Sequence, residues 1–290
     1  MKKELKIAIQ GGKASFHDMA TRAHFSGQAV GLRECRSFRQ LCDALVEKEV
    51  DMAMMAVENT LVGSILPNYS LLEEYPLYIV GETYLRIEQN LMALPGQTID
   101  DIKFIKSHPM ALLQCSDFLE SHPYIRSIEA TDTATSAYEI RKHNLKDVAA
   151  IASKMAANRY QLSILAEDIE NLKQNYTRFL VLIRREEKNG HFGNKASINF
   201  RVSHRVGSLV DALNVFRLNN INMTLIQSIP IPGLPNEYAF HIDMEWEQKD
   251  DFFHAIEQTQ SFCKALKVLG VYEAGVIPYD HPARQQAVAG

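Results

Sequence analysis

Short apolar runs alternate with amphipathic stretches from Leu5 to about Arg185. Apolar runs of about four to eight residues are typical of strands, and they lie at residues 5–9, 30–34, 51–57, 77–87, 90–94, 103–106, 124–130, 148–151 and 179–183. Between several of them apolar residues recur with helical spacing, as do Phe38, Leu41, Ala44 and Leu45. The alternation predicts an α/β fold with a mostly parallel sheet, covered on both faces, that binds ligands outside the carboxyl ends of its strands.

Two stretches modify this pattern. The run from Leu77 to Leu94 has no helical period and predicts one or two strands that cross between lobes. The polar stretch from Ile164 to Gln174 is predicted to be helical and to end directly before Asn175. We therefore expect a two-lobed α/β domain with a cleft.

The pattern of apolar and polar residues changes after residue 185. The polar run at 186–190 predicts a linker over 186–194. The pattern after the linker predicts a strand at 197–202 and a helix that begins at Gly207 and ends at Asn219-Asn220. It then predicts strands at 223–230 and 237–245, a helix at 250–264 and a strand at 266–273. This βαββαβ order is ferredoxin-like. The predicted domains are 1–185, 195–280 and a tail at 281–290.

Composition narrows the classes of function. The 290 residues carry a net charge of -4 without a Lys/Arg block, so no nucleic-acid partner is expected. No apolar run approaches the length of a membrane-spanning helix. The four cysteines form no C-x-x-C pair and the histidines no cluster, which favours reduced thiols in the cytoplasm, no metal and no cofactor.

At five places a polar segment follows a predicted strand or immediately precedes one. They are Glu58-Asn59-Thr60 with Gly63, Ser107-His108-Pro109, Asp132-Thr133, Gln10-Gly11-Gly12, and Asn175-Tyr176-Thr177-Arg178-Phe179. Taken singly, the first three also fit ordinary helix caps or turns. The glycine pair matches neither a dinucleotide nor a P-loop motif. Together the hydroxyls, amides and the guanidinium of Arg178 suit a small, oxygen-rich dianion.

These segments, in this order, resemble prephenate dehydratase. The resemblance rests on E-N-T-x-x-G at 58–63, S-H-P-x-A-L-x-Q-C at 107–115, D-T-A at 132–134, A-A-I-A-S at 149–153 and N-x-T-R-F at 175–179. The C-terminal part resembles the ACT regulatory module, with Gly207-Ser208-Leu209 and I-N-M-T-L-I at 221–226.

The resemblance implies conversion of prephenate to phenylpyruvate, water and carbon dioxide, a lyase reaction. It assigns Thr177 as the proton donor to the leaving hydroxyl and Arg178 as the group that holds a carboxylate. Because a threonine hydroxyl is a weak acid, Glu58 and His108 are rival sources of the proton. The remaining substrate contacts implied are Asn59, Thr60, Gly63, Ser107, His108, Thr133, Asn175 and Phe179.

For the ACT module the resemblance implies feedback control by L-phenylalanine and a homodimer or homotetramer. The implied effector residues are Gly207, Ser208, Leu209, Asn222, Gln227 and Ser228. Two departures stand out: Met110 replaces a glutamine of the S-H-P segment, and Gln227-Ser228-Ile229-Pro230 replaces E-S-R-P. Arogenate dehydratase chemistry and a non-catalytic amino-acid sensor are the alternatives.

Overall fold

The computed structural model describes residues 4–188, 190, 192–203, 205–231, 233–261 and 263–278. Within them, one compact unit comprises residues 4–63, 83–179 and 277–278, and a second comprises 64–82 and 180–276. The predicted domain limits at 185 and 195 and the linker 186–194 stay predictions. The predicted tail at 281–290 lies outside the described residues.

The strands and helices fall close to the apolar runs of the sequence. The strands are β1 Leu5–Gln10, β2 Val30–Cys35, β3 Met52–Asn59, β4 Gly63–Ser64, β5 Leu77–Arg86, β6 Asn90–Ala93, β7 Phe104–Ser107, β8 Arg126–Glu129, β9 Val148–Ala152, β10 Ser163–Ala166, β11 Tyr176–Arg184, β12 Lys195–Arg201, β13 Asn222–Pro230, β14 Tyr238–Glu245 and β15 Ala265–Tyr272. The α-helices are α1 Phe16–His24, α2 Phe38–Val46, α3 Leu66–Glu74, α4 Pro109–Gln114, α5 Ser116–Glu120, α6 Thr133–His143, α7 Lys154–Tyr160, α8 Ser208–Leu218 and α9 Lys249–Gln260.

The first lobe of the first unit is built around β1 and β3. These strands run parallel, β1 also pairs in parallel with β2, and β11 lies next to β3. Ile7, Ile9 and Met54 are completely buried, because the sheet is covered by helices such as α1 and α2. The carboxyl ends of these strands carry the Gly11 and Asn59 segments, as the alternating pattern predicts.

The second lobe contains a sheet with the strand order β10-β6-β9-β7-β8. Every residue of β9 is buried. Its Ala150 and Ala152 face a cluster with α6 and α7, while Ala149 and Ile151 face a cluster with α4. Side chains of one strand alternate between the faces of a sheet, so both faces are covered, as predicted. The run from Leu77 forms two strands, β5 and β6.

One secondary-structure prediction is wrong. Residues 164–174 are not helical: β10 pairs antiparallel with β6, and a loop follows it. The apolar residues Leu165, Ile169 and Leu172 have the helical spacing i, i+4, i+7, but hydrogen bonding to a distant strand overrides local propensity. Helix α3 was not foreseen.

The second unit contains the predicted βαββαβ elements in the sheet order β13-β14-β12-β15, which is the ferredoxin-like arrangement, with β5 beside β15. Its core joins Phe216 of α8 and Phe252 of α9 to the sheet, and Trp246 stacks on Phe252 at 4.3 Å. Gly270 allows β15 to approach β5, since a Cβ there would lie 2.3 Å from the Ile79 carbonyl oxygen. Asn220, with φ +55°, ends the turn after α8, as predicted.

Among the described helices, none combines the length and the apolar character needed to cross a lipid bilayer.

Candidate active site

The ends of β3 and β11 are tied together by three hydrogen bonds. The Thr60 amide donates to the Tyr176 carbonyl at 2.9 Å, the Tyr176 amide donates to Thr60 Oγ1 at 2.9 Å, and Thr60 Oγ1 donates to the Gln174 carbonyl at 2.8 Å. The Thr60 hydroxyl is thus used to join strands. These bonds bring the Glu58–Gly63 turn against the segment that carries Thr177, and Gly63 completes the turn with φ +80°.

Asn59 connects this turn to Thr177. Its Oδ1 accepts the amides of Leu61 and Val62 at 3.0 and 3.2 Å, and its Nδ2 donates to Thr177 Oγ1 at 2.9 Å and to Asn175 Oδ1 at 2.8 Å. Because two backbone N–H groups require an oxygen at one end of the amide, its NH₂ group must face Thr177. The orientation of the side chain is therefore determined.

Thr177 receives a hydrogen bond rather than giving one. Asn59 is the side-chain partner of Thr177 Oγ1 among the described residues, so the hydroxyl hydrogen can be directed to a ligand. The residue is 9% exposed and lies at the start of β11. A hydrogen bond donated to the oxygen also stabilises negative charge that develops there when the hydroxyl gives up its proton.

Arg178 points away from Thr177. Its Nη1 lies 3.9 Å from Glu58 Oε2, and the Arg178 side chain is 3% exposed, whereas the Glu58 side chain is 37% exposed. Successive side chains of a strand point to opposite faces, which explains why Thr177 pairs with Asn59 and Arg178 with Glu58. The two neighbours thus do not share one face of the sheet.

A pair of glutamines extends the amide cluster, and the sequence analysis did not select them as site residues. Asn175 Nδ2 donates to Gln114 Oε1 at 3.2 Å, and Gln89 Nε2 donates to the same oxygen at 3.3 Å. Gln114 ends α4 of the second lobe, so the cluster connects that lobe to Thr177 through Asn59. The Q of S-H-P-x-A-L-x-Q-C was the available signal.

The side chains of Ser107 and His108 make hydrogen bonds to the protein backbone. The buried Ser107 hydroxyl donates to the Ile151 carbonyl at 2.6 Å. His108 caps α4, because its Nδ1 accepts the Met110 amide at 3.2 Å. That bond leaves the hydrogen on Nε2. Burial lowers the pKa of His108, although nearby Asp132 and Glu129 act in the opposite direction, so its neutral form dominates at pH 7.

Thr133 and Phe179 are both buried. Thr133 begins α6 behind Asp132, whose carboxylate caps that helix by accepting the Thr135 amide at 2.8 Å. The Phe179 ring packs edge-on against His17 at 5.0 Å, which makes it a part of the first-lobe core.

The effector residues implied by the sequence lie on separate surfaces of the second unit. Ser208 and Leu209 line a depression of about 160 Å³, and Asn222 lines a groove of about 440 Å³. Gly207, with φ +86°, precedes α8. On β13, Gln227 Nε2 donates to the Ser228 carbonyl at 3.1 Å. The adjacent Ile229, which replaces an arginine of the ACT pattern, is buried.

Within the described residues, no group of three or more His, Cys, Asp and Glu side chains is placed to hold a metal ion. The fold and the strand-end cluster define a two-lobed α/β domain with a site of amides and hydroxyls, accompanied by a ferredoxin-like unit. The family model for prephenate dehydratase matches residues 7–187. The chain belongs to the prephenate dehydratase family.

Individual relatives agree with this assignment. The chain is 36% identical over 282 residues to an arogenate dehydratase/prephenate dehydratase 2 of Arabidopsis thaliana, covering 92% of this chain and 72% of that protein. A solved structure described as a novel type of quorum-quenching acylase has a TM-score of 0.82 at 30% identity, with 96% and 99% of the two chains covered. The prephenate dehydratase of Arthrobacter aurescens, in complex with L-Phe, has the same fold with a TM-score of 0.82 at 24% identity, covering 98% and 97%.

Proposed function

We propose that this protein is a prephenate dehydratase that converts prephenate to phenylpyruvate, water and carbon dioxide in phenylalanine biosynthesis. The observation that carries the proposal is the hydrogen bond from Asn59 Nδ2 to Thr177 Oγ1 at 2.9 Å. It presents a hydroxyl hydrogen at the carboxyl end of β3, where the family pattern requires a donor. Because the product is aromatic, the enzyme has to protonate the leaving hydroxyl and orient two carboxylates, and it needs no electron sink.

Thr177 donates its hydrogen to the leaving oxygen as the carbon–oxygen bond breaks. Asn59 stabilises the charge that appears on Thr177 Oγ1, which offsets the weak acidity of an aliphatic hydroxyl. His108 has a lowered pKa and supplies an N–H hydrogen bond rather than a proton. Glu58 remains as the side chain that can return a proton through solvent, since its side chain is half-buried and still reached by water.

Arg178 acts through Glu58. Its guanidinium group lies 3.9 Å from the Glu58 carboxylate on a buried side chain, so its positive charge orients that carboxylate at the end of β3. Asn175 and Gln114 complete the polar wall with amide groups, which bind carboxylate and hydroxyl oxygens without a change of charge.

Direct turnover tests the proposal. Purified protein incubated with prephenate should release phenylpyruvate and one carbon dioxide per substrate, and Thr177→Ala should abolish most of that release. Absence of phenylpyruvate from the wild-type protein contradicts the function. An N-acyl amide serves as a separate arm, because one structure at 30% identity is described as an acylase; release of free amine in place of phenylpyruvate would favour that chemistry.

Arogenate is the second candidate substrate. The 36% identical Arabidopsis relative is named for both arogenate and prephenate dehydratase. The two substrates differ by an amino group in place of a ketone, so the ratio of kcat/KM for the pair decides between them.

We infer that the second unit binds L-phenylalanine and associates with a second copy of the chain. The support is its ferredoxin-like order, the L-Phe complex of the Arthrobacter protein that shares the fold, and the exposed apolar side chains Val206, Val210 and Leu218. The test is sedimentation with and without phenylalanine. Cys35, Cys42 and Cys115 are buried and form no disulfide within the described residues, which fits a reducing, cytoplasmic setting.

A further inference from the structure

The loop Gly11–Ser15 of the first lobe is held by side chains of the second lobe. It joins β1 to α1, and three second-lobe side chains contact three successive residues of it. The Gly12 amide donates to Asp132 Oδ2 at 3.4 Å, Tyr160 Oη donates to the Lys13 carbonyl at 2.9 Å, and Ser153 Oγ donates to the Ala14 carbonyl at 2.9 Å. These contacts connect the lobes by hydrogen bonds in addition to the chain crossings.

Ala14 is the centre of this connection. Its side chain is 1% exposed and belongs to the hydrophobic cluster of the second lobe, where its neighbours include Ala134, Ala137 and Ala156. Small side chains on α6 and α7 leave room for one methyl group from the other lobe. Ala14 therefore contributes its side chain to the core of a lobe to which its own strand does not belong.

The backbone of Ala14 is strained. Its φ is +66°, a left-handed conformation that an alanine rarely adopts. Such strain persists where the surrounding contacts impose it, and it is common at sites where geometry matters for function. Here the Ser153 hydroxyl holds the carbonyl and Asp18 Oδ2 accepts the Ala14 amide at 2.7 Å.

Gly11 permits the close approach of Asp132. Its φ is +90°, and a Cβ at this position would lie 2.9 Å from Asp132 Oδ1. The glycine pair after β1 thus lies against a carboxylate of the protein itself. The G-G, D-T-A and A-A-I-A-S segments meet at this loop.

The loop is mechanically connected to Thr177. Helix α1 begins directly after Ser15, and its buried His17 packs against Phe179, two residues beyond Thr177 on β11. At the other side, Ser153 follows β9, whose Ala152 pairs with Asn90, the first residue of β6. A shift of the loop would therefore be transmitted both to the strand of the reactive hydroxyl and to the crossing between lobes.

We propose that Ala14 is a positioning residue whose methyl group, seated in the second lobe, sets the spacing of the two lobes around Thr177. The proposal rests on the proposed dehydratase function. Without the methyl contact the two lobes separate more often in the substrate-free protein. A smaller fraction of the molecules is then able to bind substrate, and the apparent affinity for substrate falls in proportion to that fraction. Substrate that has bound still closes the cleft, so turnover at saturation is retained.

Two variants test this by removing different contacts of the loop. Ala14→Gly removes the methyl group but relieves the left-handed strain, and Tyr160→Phe removes only the hydroxyl that holds Lys13. One hydrogen bond or one buried methyl group is equivalent to roughly a fivefold change in an equilibrium. Each variant should therefore raise KM for prephenate roughly fivefold, with kcat within about twofold of wild type. Tyr138→Phe is the matched control, since the Tyr138 ring lies beside that of Tyr160 and its hydroxyl makes no contact with the loop in the described structure.

A second measurement needs no turnover. Amide hydrogen exchange of residues 11–15 and of the first turns of α6 and α7 should accelerate together in both variants without substrate. Unchanged KM in both, or faster exchange confined to residues 11–15, overturns the proposal. If wild-type protein fails to consume prephenate, the proposed function fails, while the exchange data still decide whether the loop couples the lobes.

Discussion

Two clusters of buried polar side chains differ in whether they keep a hydrogen-bond donor available for a ligand. In the first unit Asn59, Asn175 and Thr177 lie at strand ends, carry no charge, and keep one hydroxyl hydrogen for a ligand. In the second unit Ser197, Asp243 and His241 lie within strands and are all fully buried. Residue type alone would favour the second cluster as an active site, because Ser, His and Asp make up hydrolase triads.

The geometry excludes that interpretation. Ser197 and His241 both contact Asp243 Oδ1, and Ser197 Oγ is also paired with Tyr272 Oη at 2.7 Å. A nucleophile requires a hydrogen bond to its base, whereas the described contacts place a carboxylate between serine and histidine. Position at the end of a strand, rather than the chemical type of the residues, is therefore the basis on which we propose the cluster around Thr177 as the active site.

Thr177→Ala should produce the largest change. Turnover should fall roughly 10²- to 10⁴-fold, the range expected for loss of a positioned proton donor, while the dissociation constant of prephenate changes little. Steady-state kinetics combined with equilibrium binding separates the two quantities. Thr177→Ser, which keeps the hydroxyl, should retain most of the turnover; an inactive serine variant would show that the methyl group, not the hydroxyl, matters.

Lys195→Met should affect stability instead. Lys195 Nζ donates to Glu82 Oε1 at 2.9 Å and lies 3.2 Å from Glu245, and Lys195 and Glu82 are almost completely buried. Removing the cation leaves a buried carboxylate uncompensated, which costs about 3–5 kcal/mol of unfolding free energy. Denaturant titration measures the loss.

The control for that loss is the double variant Lys195→Met/Glu82→Leu, which should recover much of it because the buried carboxylate is also gone. Turnover per folded molecule should stay near wild type in both. A single variant as stable as wild type would show that the pair is not the interior support described here.

Acid stability should depend on His17. Burial lowers its pKa to about 3, so between pH 6.5 and about 3 the unfolded chain binds a proton that the folded chain does not. Stability therefore falls with falling pH in that window, by roughly 1.4 kcal/mol per pH unit from this residue. His17→Gln keeps an acceptor for the Ala56 amide, which His17 Nε2 accepts at 3.4 Å, and should show a shallower slope. Equal slopes for the two proteins would contradict the assignment.

Gln114→Leu should have the smallest effect, about a tenfold loss of turnover, because it removes an acceptor that acts on Thr177 only through Asn175 and Asn59. Gln114→Glu keeps an oxygen for both donors and should lie closer to wild type. Equal losses in the leucine and glutamate variants would show that the acceptor is not what matters.

The strand ends could be predicted from the sequence because each polar segment directly follows an apolar run. The run before Asn59 and the run after Asn175 thus indicated two parts of the site. The β10 strand could not be predicted in this way, because Ile164 pairs with Met92 and Ala166 with Leu91 of β6, which lies far earlier in the chain.

The tertiary contacts of the site had no local signal either. Gln114 and Asn175 are separated by 61 positions, and Ser153 and Ala14 by 139. The adjacency of Thr177 and Arg178 suggested one shared ligand, but strand alternation sends them to opposite faces. Pattern predicts elements and their ends, while pairing across lobes follows from packing.

The most direct test of the account is a double-mutant cycle between Asn59 and Thr177. If the amide acts by holding and polarising that hydroxyl, Asn59→Ala lowers turnover strongly in wild type and has almost no further effect in Thr177→Ala, since the two residues act as a unit. Independent losses that multiply in Asn59→Ala/Thr177→Ala would show that the hydrogen bond between them is not the reactive element.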